Sequence, residues 1–134
     1  MFRDYLHENS DSPEGEDLLA AKFMGRWRSG APLVLAPDKD DPELGADPMR
    51  NNDYTYKEMD PFGYACPLGS HARRLNPRDT AHRMNRRRMI RRGATYGPAL
   101  PDGAPDDGVD RGIAAFIICA SLVRQFEFAQ NVWI

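Results

Sequence analysis

Residues 66–97 read CPLGSHARRLNPRDTAHRMNRRRMIRRGATYG, and the fold and function of the chain turn on what this stretch is. It holds nine of the fifteen arginines, two of the three histidines (His71 and His82) and a single acid, Asp79. The protein as a whole has a net charge of −2. Residues 1–62 carry fourteen acidic against seven basic residues, and residues 93–134 five against two, so positive charge is concentrated in the middle. A block of this kind sits against something anionic, either the chain's own acidic segments or a ligand.

Around this stretch, the 134 residues allow at most one domain. Hydrophobic content of 41 % permits a core, but eleven glycines and eleven prolines limit it. No run of about 18 apolar residues is present, so no membrane span is expected. The acidic start MFRDYLHENSDSPEGE has no apolar core of a secretory signal. Cys66 and Cys119 fit no metal spacing and read as reduced thiols, which points to a cytoplasmic setting.

Outward from the block, the pattern predicts a weak helix over residues 1–10 and a better one after Ser10–Pro13. Asp11 with Glu14 suggests a capping box, Pro13 suits a first turn, and Leu19, Phe23 and Trp27 share a face. Gly25 weakens that helix, and Ser29–Pro32 is expected to stop it. Leu33–Leu35 reads as a short extended piece. Residues 36–62, punctuated by prolines and dominated by Asp38, Asp40, Asp41 and Asp47, read as a long loop, and residues 98–110 as a second. IAAFIICA (residues 113–120) favours a buried strand. Ser121 can cap a last helix with Leu122, Phe126, Ala129 and Trp133 on one face. That helix still runs at Ile134, which reads as a sign of truncation.

Three readings of the basic block compete. In the first it is an arginine-rich loop paired with the two acidic loops. In the second, residues 71–92 form a non-catalytic module that binds nucleic acid or another polyanion with steep salt dependence. Only Tyr96 offers stacking nearby, and no nucleic-acid fold is legible, so nucleic acid is not the expected partner. The third reading starts from His71. Small turn-forming residues precede it, leaving room for a large flat group, and arginines follow it. One imidazole is too few for zinc but suffices for haem, whose porphyrin supplies four nitrogens and whose propionates pair with arginine.

CPLGSHARRLNPRD, HRMNRRRMIRRGATYGPAL, DDGVDRGIAAFIICASLVRQFEFAQNVW and, upstream, LLAAKFMGRWRSGAPLVLAPD together resemble the dye-decolourising (DyP-type) haem peroxidases, in the family's order, from about Leu18 to Trp133. The resemblance implies haem b as the iron cofactor, His71 as the proximal ligand and Arg91 as the catalytic residue above the distal face. It implies Arg73, Arg74 and Arg78, with Arg91, as cofactor-binding residues, without saying which meets a propionate. Hydrogen peroxide and an organic reductant, a bulky phenol or dye oxidised in one-electron steps, would be the substrates. Arg91 would stabilise charge on the departing peroxide oxygen. Tyr64, Tyr96 and Trp133 would pack or relay electrons, packing being the first expectation.

The family's G-x-x-D-G motif is absent; Gly103–Gly108 comes near it with the wrong spacing and position. Ala72 stands where the family usually has Ile. The expected fold is therefore α+β: an incomplete ferredoxin-like half of a DyP-type peroxidase, loop-rich, with few helices and one or two strands. Residues 1–134 would be a partial haem-binding domain lacking the N-terminal G-x-x-D-G part and the C-terminal end. Such a chain is expected to be poorly stable, to bind haem weakly, and to need a partner chain for the missing segments.

Overall fold

Ser12 opens the longest helix of the chain. The structure, a computed structural model, describes residues 2–80, 86–101 and 104–133, residue 133 by its backbone alone. Helix α1 (Phe2–Glu8) leads into α2 (Pro13–Met24). The cap of α2 is Ser12, whose hydroxyl accepts from the Gly15 N–H at 3.1 Å, and not the expected Asp11. Proline at the first helical position costs no hydrogen bond there. Phe2 and Tyr5 of α1 meet Phe23 of α2 edge-on, at 5.7 and 5.8 Å between ring centroids.

Gly25 ends α2 itself, earlier than the expected stop at residues 29–32. Its φ of 86° is the left-handed C-cap conformation that glycine adopts without a Cβ penalty. The chain then doubles back. Trp27 N–H donates to the Ala31 carbonyl at 2.9 Å, and Leu33 N–H to the Gly25 carbonyl at 3.3 Å. Leu33–Leu35 is thus part of a turn, with Leu33 fully buried, and not an extended piece.

The expected long loop over residues 36–62 contains two short helices, α3 (Pro42–Ala46) and α4 (Tyr56–Met59). Apart from Asp60, which reaches Arg73, its aspartates Asp40, Asp41 and Asp47 build local structure instead of facing the basic block. Asp41 caps α3 by accepting from Leu44 N–H at 3.0 Å. Asp40 binds the Ser29 hydroxyl. Asp47 accepts from the Met49 and Arg50 N–H groups and pairs with Arg50 at 2.8 Å. These are the side-chain-to-backbone bonds that favour Asp in turns. Helix α5 (His71–Leu75) and a 3₁₀ turn (Arg78–Thr80) follow.

A two-stranded antiparallel sheet pairs β1 (Ile90–Tyr96) with β2 (Gly112–Ile118), Arg91 opposite Ile117 and Ala94 opposite Ala114. Composition points to β2, but β1, with its adjacent arginines, goes unnoticed there. The expectation of a buried strand fails. Ile113, Phe116 and Ile118 are each at least 65 % exposed, because no described element covers either face of the hairpin. The last helix is also altered. The cap position is Leu122, which makes no side-chain cap bond, while the Ser121 hydroxyl beside it accepts from Arg124 N–H at 3.4 Å, and the turns Val123–Glu127 and Ala129–Trp133 are π-wound. The bond from Glu127 N–H to the Leu122 carbonyl spans five residues, so a four-residue stripe does not stay on one face: Ala129 is buried and Leu122 is 64 % exposed.

The core lies in the first half of the chain. Ala21, Trp27, Ala31, Leu33, Leu44, Tyr54, Tyr56 and Cys66 form one buried cluster, to which the hairpin contributes nothing. The α+β class, with few helices and two strands, is as expected. No described helix is long and apolar enough to cross a membrane.

Candidate functional site

Asp60, Arg73, Arg78 and Asp79 dock residues 71–79 onto residues 52–60. Arg73 is 3 % exposed, and its Nη1 donates to Asp60 Oδ2 at 2.9 Å and to the Cys66 carbonyl at 2.8 Å. Its Nη2 donates to the Asp60 carbonyl at 2.8 Å. Asp60 also accepts from the Ala65 and Cys66 N–H groups. The Arg73 guanidinium lies 4.3 Å over the Tyr56 ring. Burial, followed by the hydrogen bond with Tyr54, pushes the Tyr56 hydroxyl well above the usual phenol range.

Arg78 repeats the pattern one layer out. It lies 3.6 Å over the Tyr54 ring and donates to the Asn52 and Tyr54 carbonyls at 3.0 and 3.1 Å. Its φ of 50° is the only positive value among the described non-glycine residues, strain that the surrounding bonds hold in place. Asn52 Oδ1 accepts from both Arg26, at 2.8 Å, and Arg78, at 3.3 Å, and so holds two guanidinium groups side by side.

On this base sits a concavity of about 250 Å³ whose lining includes His71, Arg78, Arg91, Arg26, Asn52 and Tyr54. An adjoining hollow of about 370 Å³ is shared by Arg78 and Arg91 and adds Arg87 and Arg88. Arg91 reaches the first concavity and Arg92 does not, as alternation along β1 requires. Arg87 is anchored by the last helix: it donates to the Arg124 carbonyl at 2.7 Å and lies 3.8 Å over Phe128.

The sequence-predicted residues therefore separate. His71, Arg78 and Arg91 come together. Arg74 is exposed and outside both hollows. Arg73 is buried in the ion pair with Asp60 and lines neither. Arg26, Asn52 and Tyr54 were not singled out from sequence. Nothing in their local pattern marks them, because they reach the site only through folding of distant segments. Tyr64 is 83 % exposed and Tyr96 47 % exposed, its hydroxyl 3.3 Å from Asp110, so neither packs in the core. Residues 81–85, including His82, the Gly103 of the near-motif and the Trp133 side chain lie outside the described residues.

The small residues before His71 have two roles. Cys66 and Ser70 are buried, 3.1 Å apart, against Gly25, where a Cβ would come within 3.0 Å of Ser70 Oγ and of Ala72 Cβ. Gly69 has open space where its Cβ would be. Pairing between basic block and acidic loops amounts, among the described residues, to one ion pair, Arg73–Asp60.

Exposed His71 shares its concavity with three guanidinium groups, those of Arg26, Arg78 and Arg91, and with no carboxylate among the described residues. No family model matches the sequence. Known proteins do match: a dye-decolorizing peroxidase of Mycena epipterygia is 40 % identical across 90 % of this chain. One from Auricularia auricula-judae is 34 % identical across 98 %. The chain belongs to the dye-decolorizing peroxidase family. It spans 26 % and 30 % of the length of these two relatives. Its fold is that of the DyP-type enzymes: the solved structure of a dye-decolorizing peroxidase with 2,6-dimethoxyphenol superposes with a TM-score of 0.84, at 35 % identity over 98 % of this chain and 33 % of that one. The Auricularia auricula-judae enzyme superposes with a TM-score of 0.83.

Proposed function

We propose that residues 1–134 form part of a DyP-type haem domain and carry His71 and Arg91 of its haem site. The protein would be a haem-dependent peroxidase that reduces hydrogen peroxide and oxidises a bulky phenol or dye in one-electron steps. The observation that supports this most directly is the convergence of His71, Arg78 and Arg91 on one concavity in a chain similar to named peroxidases.

His71 is exposed, and among the described residues none hydrogen-bonds to its ring, so its imidazole is available to iron. Arg78 and Arg26, held side by side by Asn52, line the concavity and would face the porphyrin carboxylates, whereas Arg73 is buried and lines neither hollow. When bound, haem would supply the redox chemistry that no side chain here supplies. Arg91 would offer fixed positive charge where the peroxide oxygen takes up negative charge, the kind of preorganised stabilisation that lowers a barrier. No residue of this chain is assigned to movement of the peroxide proton. A cytoplasmic location is a further part of the proposal, supported by the free thiols Cys66 and Cys119. The polyanion reading of residues 71–92 draws no support from the relatives.

Because the concavity is open, the isolated chain is expected to bind haem weakly and to turn over peroxide slowly, with a partner chain or further sequence completing the site. Haem titration of the wild type beside His71→Ala, followed by Soret absorbance, tests the reading. A Soret shift that requires His71 is the expected result. No shift, or the same shift in both proteins, would sink it.

A further inference from the structure

We infer that Asp60 is a positioning residue for His71 and acts through Arg73. The inference rests on the proposed role of His71 as iron ligand. Helix α5 has five residues, too few to be stable or oriented by its own hydrogen bonds. Its rotation about its axis is set by what its side chains grip, and the strongest grip is on Arg73. Three donations leave this guanidinium, two to Asp60 and one to the Cys66 carbonyl, all between 2.8 and 2.9 Å, and the Tyr56 ring backs it. Asp60 has little freedom to follow a moving partner. Oδ1 accepts from Ala65 N–H at 3.2 Å, and Oδ2 from Cys66 N–H at 2.9 Å.

A helix turns about 100° per residue, so a side chain two positions before Arg73 leaves the axis about 200° away. Fixing Arg73 towards the interior therefore turns His71 outward, into the concavity with Arg78 and Arg91. Ala72, between them, lies against Gly25 at the end of α2, the third side of the same rotational setting. Arg73 and Asp60 line neither hollow, so their effect on the site is indirect and passes through the setting of α5, which carries His71.

The test uses the whole chain with Asp60→Asn, which keeps an acceptor and loses the charge, and Arg73→Lys, which keeps the charge and loses the planar fork. The first readout is the His71 ring 1H–13C signal at one fixed pH without haem. The His7 signal is the internal reference, because His7 is held by Glu16 at 2.7 Å in the α1–α2 corner. The second readout is haem titration, with His71→Ala as the floor. The expected result is a shifted or broadened His71 signal with His7 unchanged, and a haem dissociation constant raised about 10–100-fold, the usual effect of losing a group that orients a metal ligand. An unchanged His71 signal with unchanged haem affinity overturns the inference. So does movement of His7 together with His71 in both variants, which would make the pair a general support of the fold. If the His71 signal moves alone while His71→Ala binds haem like the wild type, the positioning stands and the ligand role falls.

Discussion

The Asp79 carboxylate accepts a hydrogen bond from the Tyr56 N–H at 2.9 Å, and a second from the Lys57 N–H at 3.1 Å. It caps α4 from a turn far along the chain, while Thr55, the local N-cap residue, makes no side-chain bond. Orphan N–H groups at a helix start need such an acceptor. Asp79→Ala is expected to cost about 1 kcal/mol, read as a lower urea midpoint with an unchanged slope. Asp79→Asn, which keeps an acceptor oxygen, should lose less. Equal stability of all three proteins would show that water caps α4 as well as Asp79 does.

Gly25 is expected to tolerate no side chain. Gly25→Ala places a methyl group within 3.0 Å of Ala72 Cβ and Ser70 Oγ at a φ of 86°. Left-handed strain alone costs about 1–3 kcal/mol, and relief of the contact would push α5, with His71, away from α2. Thermal unfolding should show the loss of stability, and haem titration a weaker affinity. Wild-type behaviour in both would mean that the end of α2 yields without moving α5.

The α1–α2 corner should respond to pH. The hydrogen bond to Glu16, then its charge, raises the His7 pKa above 6.5. A raised value in the folded state means that this contribution is fully present below the unfolded value and is lost as pH rises through the folded one. The difference in urea midpoint between wild type and Glu16→Gln should therefore shrink as pH rises through that window. The hydrogen bond from Arg111, joined by the Val109 N–H, lowers the Asp107 pKa below 3.8, which has the opposite sense: its contribution is present above the unfolded value and fades as pH falls through the folded one. A pH-independent midpoint difference for Glu16→Gln would remove the His7 prediction.

The hairpin is expected to limit solubility. Phe116 is 69 % and Ile118 65 % exposed, on a strand with no charge between Gly112 and Ile118. Exposed apolar edges of this kind template pairing with other chains. Phe116→Lys should reduce light scattering at a given concentration and change folding stability by less than about 0.5 kcal/mol, as for a surface position. A large loss of stability would mean that Phe116 is packed in solution.

Much of the candidate site was legible in residues 66–97. His71 followed by arginines is a short-range pattern of residue types, whereas Arg91 was singled out by the family resemblance, and both residues line one concavity. Arg73 and Arg78 look alike in that pattern. One ends in a buried ion pair and the other beside the concavity, because α5 rotates one inward and the left-handed backbone at residue 78 turns the other onto Tyr54. Nothing local marked Arg26 or Asn52, since their partners lie 26 residues away along the chain in each case.

By itself, the sequence determined the α+β class, the helix opening near Pro13, the strand tendency of residues 113–118 and the family likeness. All are properties of neighbouring residues or of their order. Only the tertiary structure decided which arginines are buried and which line the concavity. A guanidinium is committed by the acceptors folded against it, here Asp60, Cys66, Asn52 and Tyr54, and those are brought near by packing around Gly25 and the Tyr54–Tyr56 pair. Burial was decided there too. An apolar strand is buried only if another layer lies on it, and the residues of β2 carry no information about whether one does.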